Sequence, residues 1–137
     1  MDTLTPARRS ANMSRIRANG SAPEMLVRRT AHAMGFRFRL HRKDLPGKPD
    51  LVFPRLRKIV FVHGCFWHQH PGCREGRTPS SNQGYWAPKL ARNVERDRIA
   101  QESLRRAGWD VVTLWECECR TADQVRAALR PFLNSVT

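Results

Sequence analysis

The chain is poor in acidic residues and has no long apolar run. Its 137 residues carry 12 Asp and Glu against 25 Lys and Arg, a formal charge of +13 and a pI near 11.3. No stretch reaches the roughly 18 consecutive apolar residues that a membrane-spanning helix needs. The opening segment, M-D-T-L-T-P-A-R-R-S, has no apolar core of the secretory type. The expected compartment is therefore the cytoplasm. Internal repeats and low-complexity tracts are absent from the sequence. Cysteine is scarce, at four residues. In a cytoplasmic chain, four cysteines argue against a disulfide framework and for metal ligation.

What is present is positive charge. Residues 1–48 hold 11 Lys and Arg against 3 Asp and Glu, a net of +8, and the remainder contributes +5. Most of it is arginine, whose planar fork suits bidentate phosphate contacts. An anionic membrane surface is the competing partner, but no basic amphipathic helix with an aromatic face stands out. Nucleic acid is the favoured polyanion. The length suits one domain with a single core.

Residues 1–20 read as a basic arm, with a short helix over Ala7–Ala18, and 21–137 as the single domain. The first strong helix opens at Ser21-Ala22-Pro23-Glu24. Ser21 is suited to N-cap it, and Glu24 to complete a capping box. Leu26, Val27, Ala31, Ala33 and Met34 form its apolar positions, and Gly35 stops it. Phe36–Leu40 alternates apolar with basic, as a half-exposed strand does. The loop Lys43–Pro49 leads into a strand over Asp50–Phe53. Arg55-Leu56-Arg57 reads as a hairpin tip before a buried strand, Ile59–Val62. Pro71–Gln83 is a polar loop. Trp86–Ala107 reads as a long helix stopped by Gly108, followed by a core strand over Asp110–Trp115. Thr121 and Gln124 then open a last helix with Val125, Ala128, Leu129 and Phe132 on one side. The expected fold is α/β, a small mixed sheet flanked by helices.

The chemistry concentrates after Ile59–Val62. The stretch H-G-C-F-W-H-Q-H-P-G-C, residues 63–73, packs three of the five histidines and two cysteines around a turn. Cys65-x4-His70-x2-Cys73 has the short spacing of a zinc loop and lacks a fourth ligand. Cys117 and Cys119 lie just beyond the Val111–Trp115 strand, and either would close the site if the two strands are neighbours. Asp50 opens a strand, where a carboxylate is suited to Mg²⁺. His63 and His68 remain for proton transfer or charge stabilisation at phosphate, the alternative being that one of them, rather than His70, ligates the metal. At 100° per residue, Leu90, Val94, Asp97 and Leu104 share one helix face. A carboxylate in such a stripe calls for a partner, an arginine or a metal-bound water. Phe66, Trp67 and Trp86 are large aromatics in or beside polar loops, suited either to wedging between bases or to core packing. Trp109 and Trp115 are the better core candidates.

Taken together, N-M-S-R-I-R near the start, L-P-G-K-P-D at 45–50, F-V-H-G-C-F-W-H-Q-H at 61–70, N-V-E-R-D-R at 93–98 and G-W-D-V-V-T-L-W-E-C at 108–117 resemble the very short patch repair endonucleases, the Vsr family. The resemblance spans about Ser10 to Phe132. It implies a restriction-endonuclease-like core with a structural zinc. It also implies Mg²⁺-dependent nicking of double-stranded DNA on the 5′ side of the thymine in a T·G mismatch, the product of 5-methylcytosine deamination. By motif position, Asp50 is the Mg²⁺ ligand, and Glu24 and Asp97 contact waters on that metal. His68 is the general base, and His63 assists at the phosphate. Cys65, His70, Cys73 and Cys117 hold zinc, and Phe66, Trp67 and Trp86 wedge into DNA. Mismatch-repair proteins are possible partners, no membrane is involved, and the chain is expected as a monomer. Two departures from the family pattern stand out: Val62, where threonine is frequent, and the interrupted run H-Q-H-P-G-C. Cys119 receives no role. The alternative from another class is a non-catalytic, zinc-stabilised module that binds mismatched DNA.

Overall fold

The computed structural model describes residues 21–76 and 83–135. The expected Ala7–Ala18 helix and the basic arm lie outside the described residues, as does part of the Pro71–Gln83 loop. In chain order the elements are α1 (Ala22–Ala33), β1 (Arg39–Leu40), β2 (Leu51–Phe53), β3 (Lys58–His63), α2 (Gln83–Arg106), β4 (Asp110–Trp115) and α3 (Ala122–Asn134). Two 3₁₀ turns, Arg74–Gly76 and Glu116–Glu118, follow β3 and β4.

The sheet has the order β1-β2-β3-β4. The first two pairings are antiparallel, and β3 pairs with β4 in parallel, with Ile59 opposite Val111 and His63 opposite Trp115. A parallel neighbour needs a long crossover, and α2 supplies it. Side chains alternate across the sheet as the period of two requires. Leu51, Phe53, Val60 and Leu114 pack on one face with Val27 and Ala31 of α1 and Val125, Leu129 and Leu133 of α3. Val52, Ile59 and Phe61 point to the other face, against Leu104 of α2 and Trp109. The sheet thus lies between α1 and α3 on one side and α2 on the other. His63 continues the Ile59, Phe61 alternation and falls on the α2 side.

Local chemistry sets the ends. Ser21 caps α1, its hydroxyl accepting from the Glu24 N–H at 3.3 Å, a bond of the kind that contributes about 1 kcal/mol. The Glu24 carboxylate does not serve α1 as a capping box; it engages Arg28 and His41 instead. At α3 the expected box is present, with Thr121 and Gln124 reciprocating. The ladder of the expected Phe36–Leu40 strand is only Arg39–Leu40. Phe36 and Phe38 still turn inward, with ring centroids 6.3 and 5.7 Å from Phe53. Lys58, which opens β3, is buried and bonds Asp110 Oδ2 at 3.0 Å and Ser135 Oγ at 2.8 Å. Gly47 sits at φ +77, and a Cβ there would meet Ala100 Cβ at 2.8 Å. Only glycine lets the 43–49 loop lie this close to α2.

Candidate functional site

The C-terminal ends of β3 and β4, the start of β2 and the N-terminal turn of α1 open onto one cleft of about 980 Å³. Glu24, His41, Asp50, His63, Phe66, Trp67, His68 and Asp97 all line it. The structure therefore gathers every expected catalytic residue in one place, in two clusters.

The first cluster is built by the β1–β2 hairpin, β3 and α1. The Val62 N–H donates to Asp50 Oδ2 at 2.6 Å, so the position before His63 acts through its backbone. The valine side chain meanwhile packs against the core, so its departure from threonine leaves this bond untouched. Arg28 Nη2 donates to Glu24 Oε2 at 2.7 Å, and His41 Nε2 lies 2.9 Å from Glu24 Oε1 and 3.7 Å from Asp50 Oδ1. Burial pushes the Asp50 carboxyl up to about 8, and the hydrogen-bonded Glu24 adds to this. Burial also tends to raise Glu24, but its bonds with Asp50 and His41 and the Arg28 charge bring it below the ordinary carboxylate value. A buried carboxylate and a half-buried one this close keep one proton between them unless a cation takes its place. Glu24, His41 and Asp50 each offer a ligand atom, all within 4.8 Å of one another. That donor set fits a divalent cation.

The second cluster joins the loop after β3 to α2. His68 Nδ1 and Asp97 Oδ2 are 2.6 Å apart, so the partner of Asp97 is a histidine rather than an arginine. The His63 ring stacks on His68 with centroids 3.8 Å apart and planes 9° off parallel. Burial lowers His63 to about 4, and the neighbouring His68 pushes the same way against Asp97. His63 is thus neutral near pH 7. The expected apolar stripe of α2 divides in two. Leu90 and Leu104 are buried, but Val94 is 42% exposed. Between them α2 turns polar side chains to the loop: Asn93 Nδ2 holds the Trp67 carbonyl at 3.1 Å, and Asp97 holds His68. Their i, i+4 spacing places both on one face.

A third group sits beside the cleft. Cys65, His70, Cys73 and Cys117 bring their ligand atoms within 4.8 Å of one another. His70 Nδ1 lies 3.7 Å from Cys65 Sγ and 3.4 Å from Cys117 Sγ. A tetrahedral zinc holds sulfur at about 2.3 Å and nitrogen at about 2.0–2.1 Å, which sets S···N edges near 3.6 Å. The donor set and its spacing fit that ion. His70, rather than His68, faces the thiols, despite the interrupted run. Burial pushes Cys65 up to about 12, with the crowding thiols of Cys117 and Cys73 contributing. Cys119 does not join them; it is buried in the α1–α3 core, and burial raises its thiol to about 11. A Cβ on Gly76 would meet the His70 carbonyl at 2.6 Å, so glycine closes the loop.

Phe66, Trp67 and Trp86 form one half-buried aromatic cluster, with centroids 5.1 to 5.9 Å apart. Tyr85, 59% exposed, extends it, and Lys89 Nζ lies within 6.0 Å of Trp67, Tyr85 and Trp86. Trp109 is core, as expected. Trp115 is not a simple core residue: it stacks on His70 at 4.3 Å and meets His63 edge-on at 5.3 Å, bridging the thiol cluster and the histidine pair.

Sequence reasoning passed over His41, Arg28, Lys89 and Asn93. His41 was detectable: in an antiparallel hairpin that pairs Leu40 with Leu51, the next pair outward is His41 with Asp50. Lys89 and Asn93 fall at helical spacing from Trp86 and Asp97. Arg28 is one turn beyond Glu24.

Residues 1–74 match the family model described as DNA mismatch endonuclease Vsr. The chain is 47% identical over 133 residues to the type II nicking enzyme V.XorIIP of Xanthomonas oryzae pv. oryzae, covering 97% of each. It is 36% identical over 124 residues to the DNA mismatch endonuclease Vsr of Escherichia coli, covering 90% of this chain and 79% of that one. A third relative, the type II nicking enzyme V.NaeI of Lentzea aerocolonigenes, is 45% identical over 117 residues, covering 82% and 69%.

Proposed function

Because the chain belongs to the Vsr family of DNA mismatch endonucleases, and is thus an endonuclease acting on DNA, we propose that it nicks one strand of a duplex on the 5′ side of the thymine in a T·G mismatch, initiating very short patch repair. The observation that carries this reading is the convergence of Glu24, Asp50, His63, His68 and Asp97 on one cleft beside an aromatic cluster. Membership of an endonuclease family displaces the non-catalytic alternative.

Asp50, with Glu24 beside it, would hold Mg²⁺. Bound there, the cation would neutralise charge developing at the scissile phosphate. The remaining work belongs to the chain. Placed 2.6 Å from His68 Nδ1, the Asp97 carboxylate would accept the proton on that nitrogen and so leave the lone pair on Nε2. That nitrogen takes the proton of the attacking water. Neutral His63, stacked on His68, holds the imidazole plane and assists at the phosphate. Cys65, His70, Cys73 and Cys117 would hold a structural zinc, which fixes the loop carrying Phe66, Trp67 and His68. Phe66, Trp67 and Trp86 would insert beside the mismatch, where unstacking costs least. The core is of the restriction-endonuclease type in this reading, with residues 1–20 as a basic DNA-binding arm and 21–137 as the nuclease domain. The chain acts as a cytoplasmic monomer, alongside mismatch-repair proteins. Among the described residues no helix is long and apolar enough to cross a membrane.

The deciding experiment is nicking of a T·G duplex with Mg²⁺, with EDTA, and by Asp50→Ala. Wild type nicks only with Mg²⁺, and the variant is inactive while still binding the duplex. Nicking by Asp50→Ala at the wild-type rate rejects the metal site.

A further inference from the structure

His41 ends β1, and its place in the hairpin aims it at the carboxylates. Its backbone N–H lies 3.4 Å from the Asp50 carbonyl, and its φ of +46 turns the chain sharply there. The imidazole is directed into the cleft, between the two acids. Each acid has one oxygen already fixed by the protein. Arg28 holds Glu24 Oε2 at 2.7 Å, and the Val62 N–H holds Asp50 Oδ2 at 2.6 Å. The other oxygens, Glu24 Oε1 and Asp50 Oδ1, face His41 Nε2 at 2.9 and 3.7 Å. In an octahedral shell with bonds of about 2.1 Å, adjacent ligands lie about 3.0 Å apart and opposite ligands about 4.2 Å. The 2.9 Å separation is that of adjacent ligands, the 3.7 Å one lies between the adjacent and opposite values, and the three ligand atoms all lie within 4.8 Å of one another.

We propose that His41 is a direct nitrogen ligand, through Nε2, of the divalent cation held by Asp50 and Glu24, and that it biases this site toward Mn²⁺ over Mg²⁺. The inference rests on the reading above that Asp50 holds a divalent cation. Its chemical basis is the mismatch between imidazole and magnesium. Mg²⁺ is a hard ion that takes oxygen ligands and keeps its waters. Transition-metal ions accept imidazole readily, and Mn²⁺ also suits carboxylates. A site with two carboxylate oxygens and one imidazole nitrogen therefore supports Mg²⁺ but holds Mn²⁺ more tightly. The competing account is that His41 only forms an ion pair with Glu24, in which case it leaves the ligand shell when metal arrives.

The test needs no turnover. Mn²⁺ is titrated into the full chain, free Mn²⁺ is followed by EPR, and Mg²⁺ affinity is obtained by competition. Pulsed EPR on the bound Mn²⁺ then reports whether a nitrogen is coordinated. Wild type is expected to show imidazole ¹⁴N coupling, and Asp50→Asn to lose the bound Mn²⁺. His41→Gln should lose the coupling and weaken Mn²⁺ by about tenfold or more, on the scale of altering a metal's ligand environment, with a smaller change for Mg²⁺. Mn²⁺ held by Asp50 without nitrogen coupling, or with coupling that persists in His41→Gln, overturns the role of His41 and leaves the metal site standing. Absence of any Asp50-dependent Mn²⁺ overturns the proposal together with the reading on which it rests.

Discussion

At the scale of single residues, the site separates two chemistries by environment. Asp50 and Glu24 are carboxylates in contact, and burial makes their joint ionisation costly without a cation. His68 is half-buried and paired with Asp97, and His63 is buried and kept neutral. In the proposed reaction the base is His68, and Asp97 is the residue that orients it. His68→Ala should slow single-turnover nicking by about 10²–10⁴-fold, the range for losing a positioned base. Asp97→Asn should slow the same step by less, since the imidazole remains. Rapid-quench measurement at saturating enzyme separates this from DNA binding. A larger loss in Asp97→Asn than in His68→Ala would assign the carboxylate a role of its own.

At the scale of elements, α2 and the loop after β3 act as one unit. Asn93 and Asp97 grip the loop backbone and His68, while Trp86 and Lys89 extend the aromatic cluster. The thiol cluster closes the loop from the other side, through Cys117 at the end of β4. Cys117→Ser should lower bound zinc and thermal stability together, because metal affinity is coupled to folding. Cys119→Ser should leave zinc content unchanged and act only on the α1–α3 core. Elemental analysis with thermal melting of both variants checks this, and full zinc in Cys117→Ser would remove that residue from the site. The aromatic cluster gives a second prediction. Trp67→Ala should reduce the preference for T·G over matched duplex more than it reduces binding to either. Equal losses on both duplexes, in parallel affinity measurements, would make Trp67 a support for the fold alone.

At the scale of the whole molecule, the +13 charge should set much of the affinity for DNA. Each phosphate neutralised releases counterions, so the logarithm of affinity should fall linearly with the logarithm of salt. Trp67→Ala should leave that slope unchanged, whereas replacing lysines or arginines that meet phosphate should reduce it by about one for each contact. Titration of duplex at several salt concentrations reads the slope. A slope near zero would remove counterion release as the source of affinity.

Much of this molecule was determined by its sequence alone. Order and type of elements follow from local rules: β-branched runs make Ile59–Val62 and Val111–Trp115 strands, and caps at Ser21 and Thr121 start helices. The thiol–imidazole loop was visible because three of its four members lie within nine residues. Short spacing confines ligands whatever the rest of the chain does. Contacts between distant segments were another matter. Parallel pairing of β3 with β4 is what chose Cys117 over Cys119, since one residue stands beside His70 and the other enters the core. Asp97 met His68 rather than an arginine because α2 crosses back over the sheet at that height. Glu24 left its capping role because the β1–β2 hairpin brings His41 to it across 17 positions. Periodicity reports which face of an element is apolar, but only packing decides which side chains from other elements meet it.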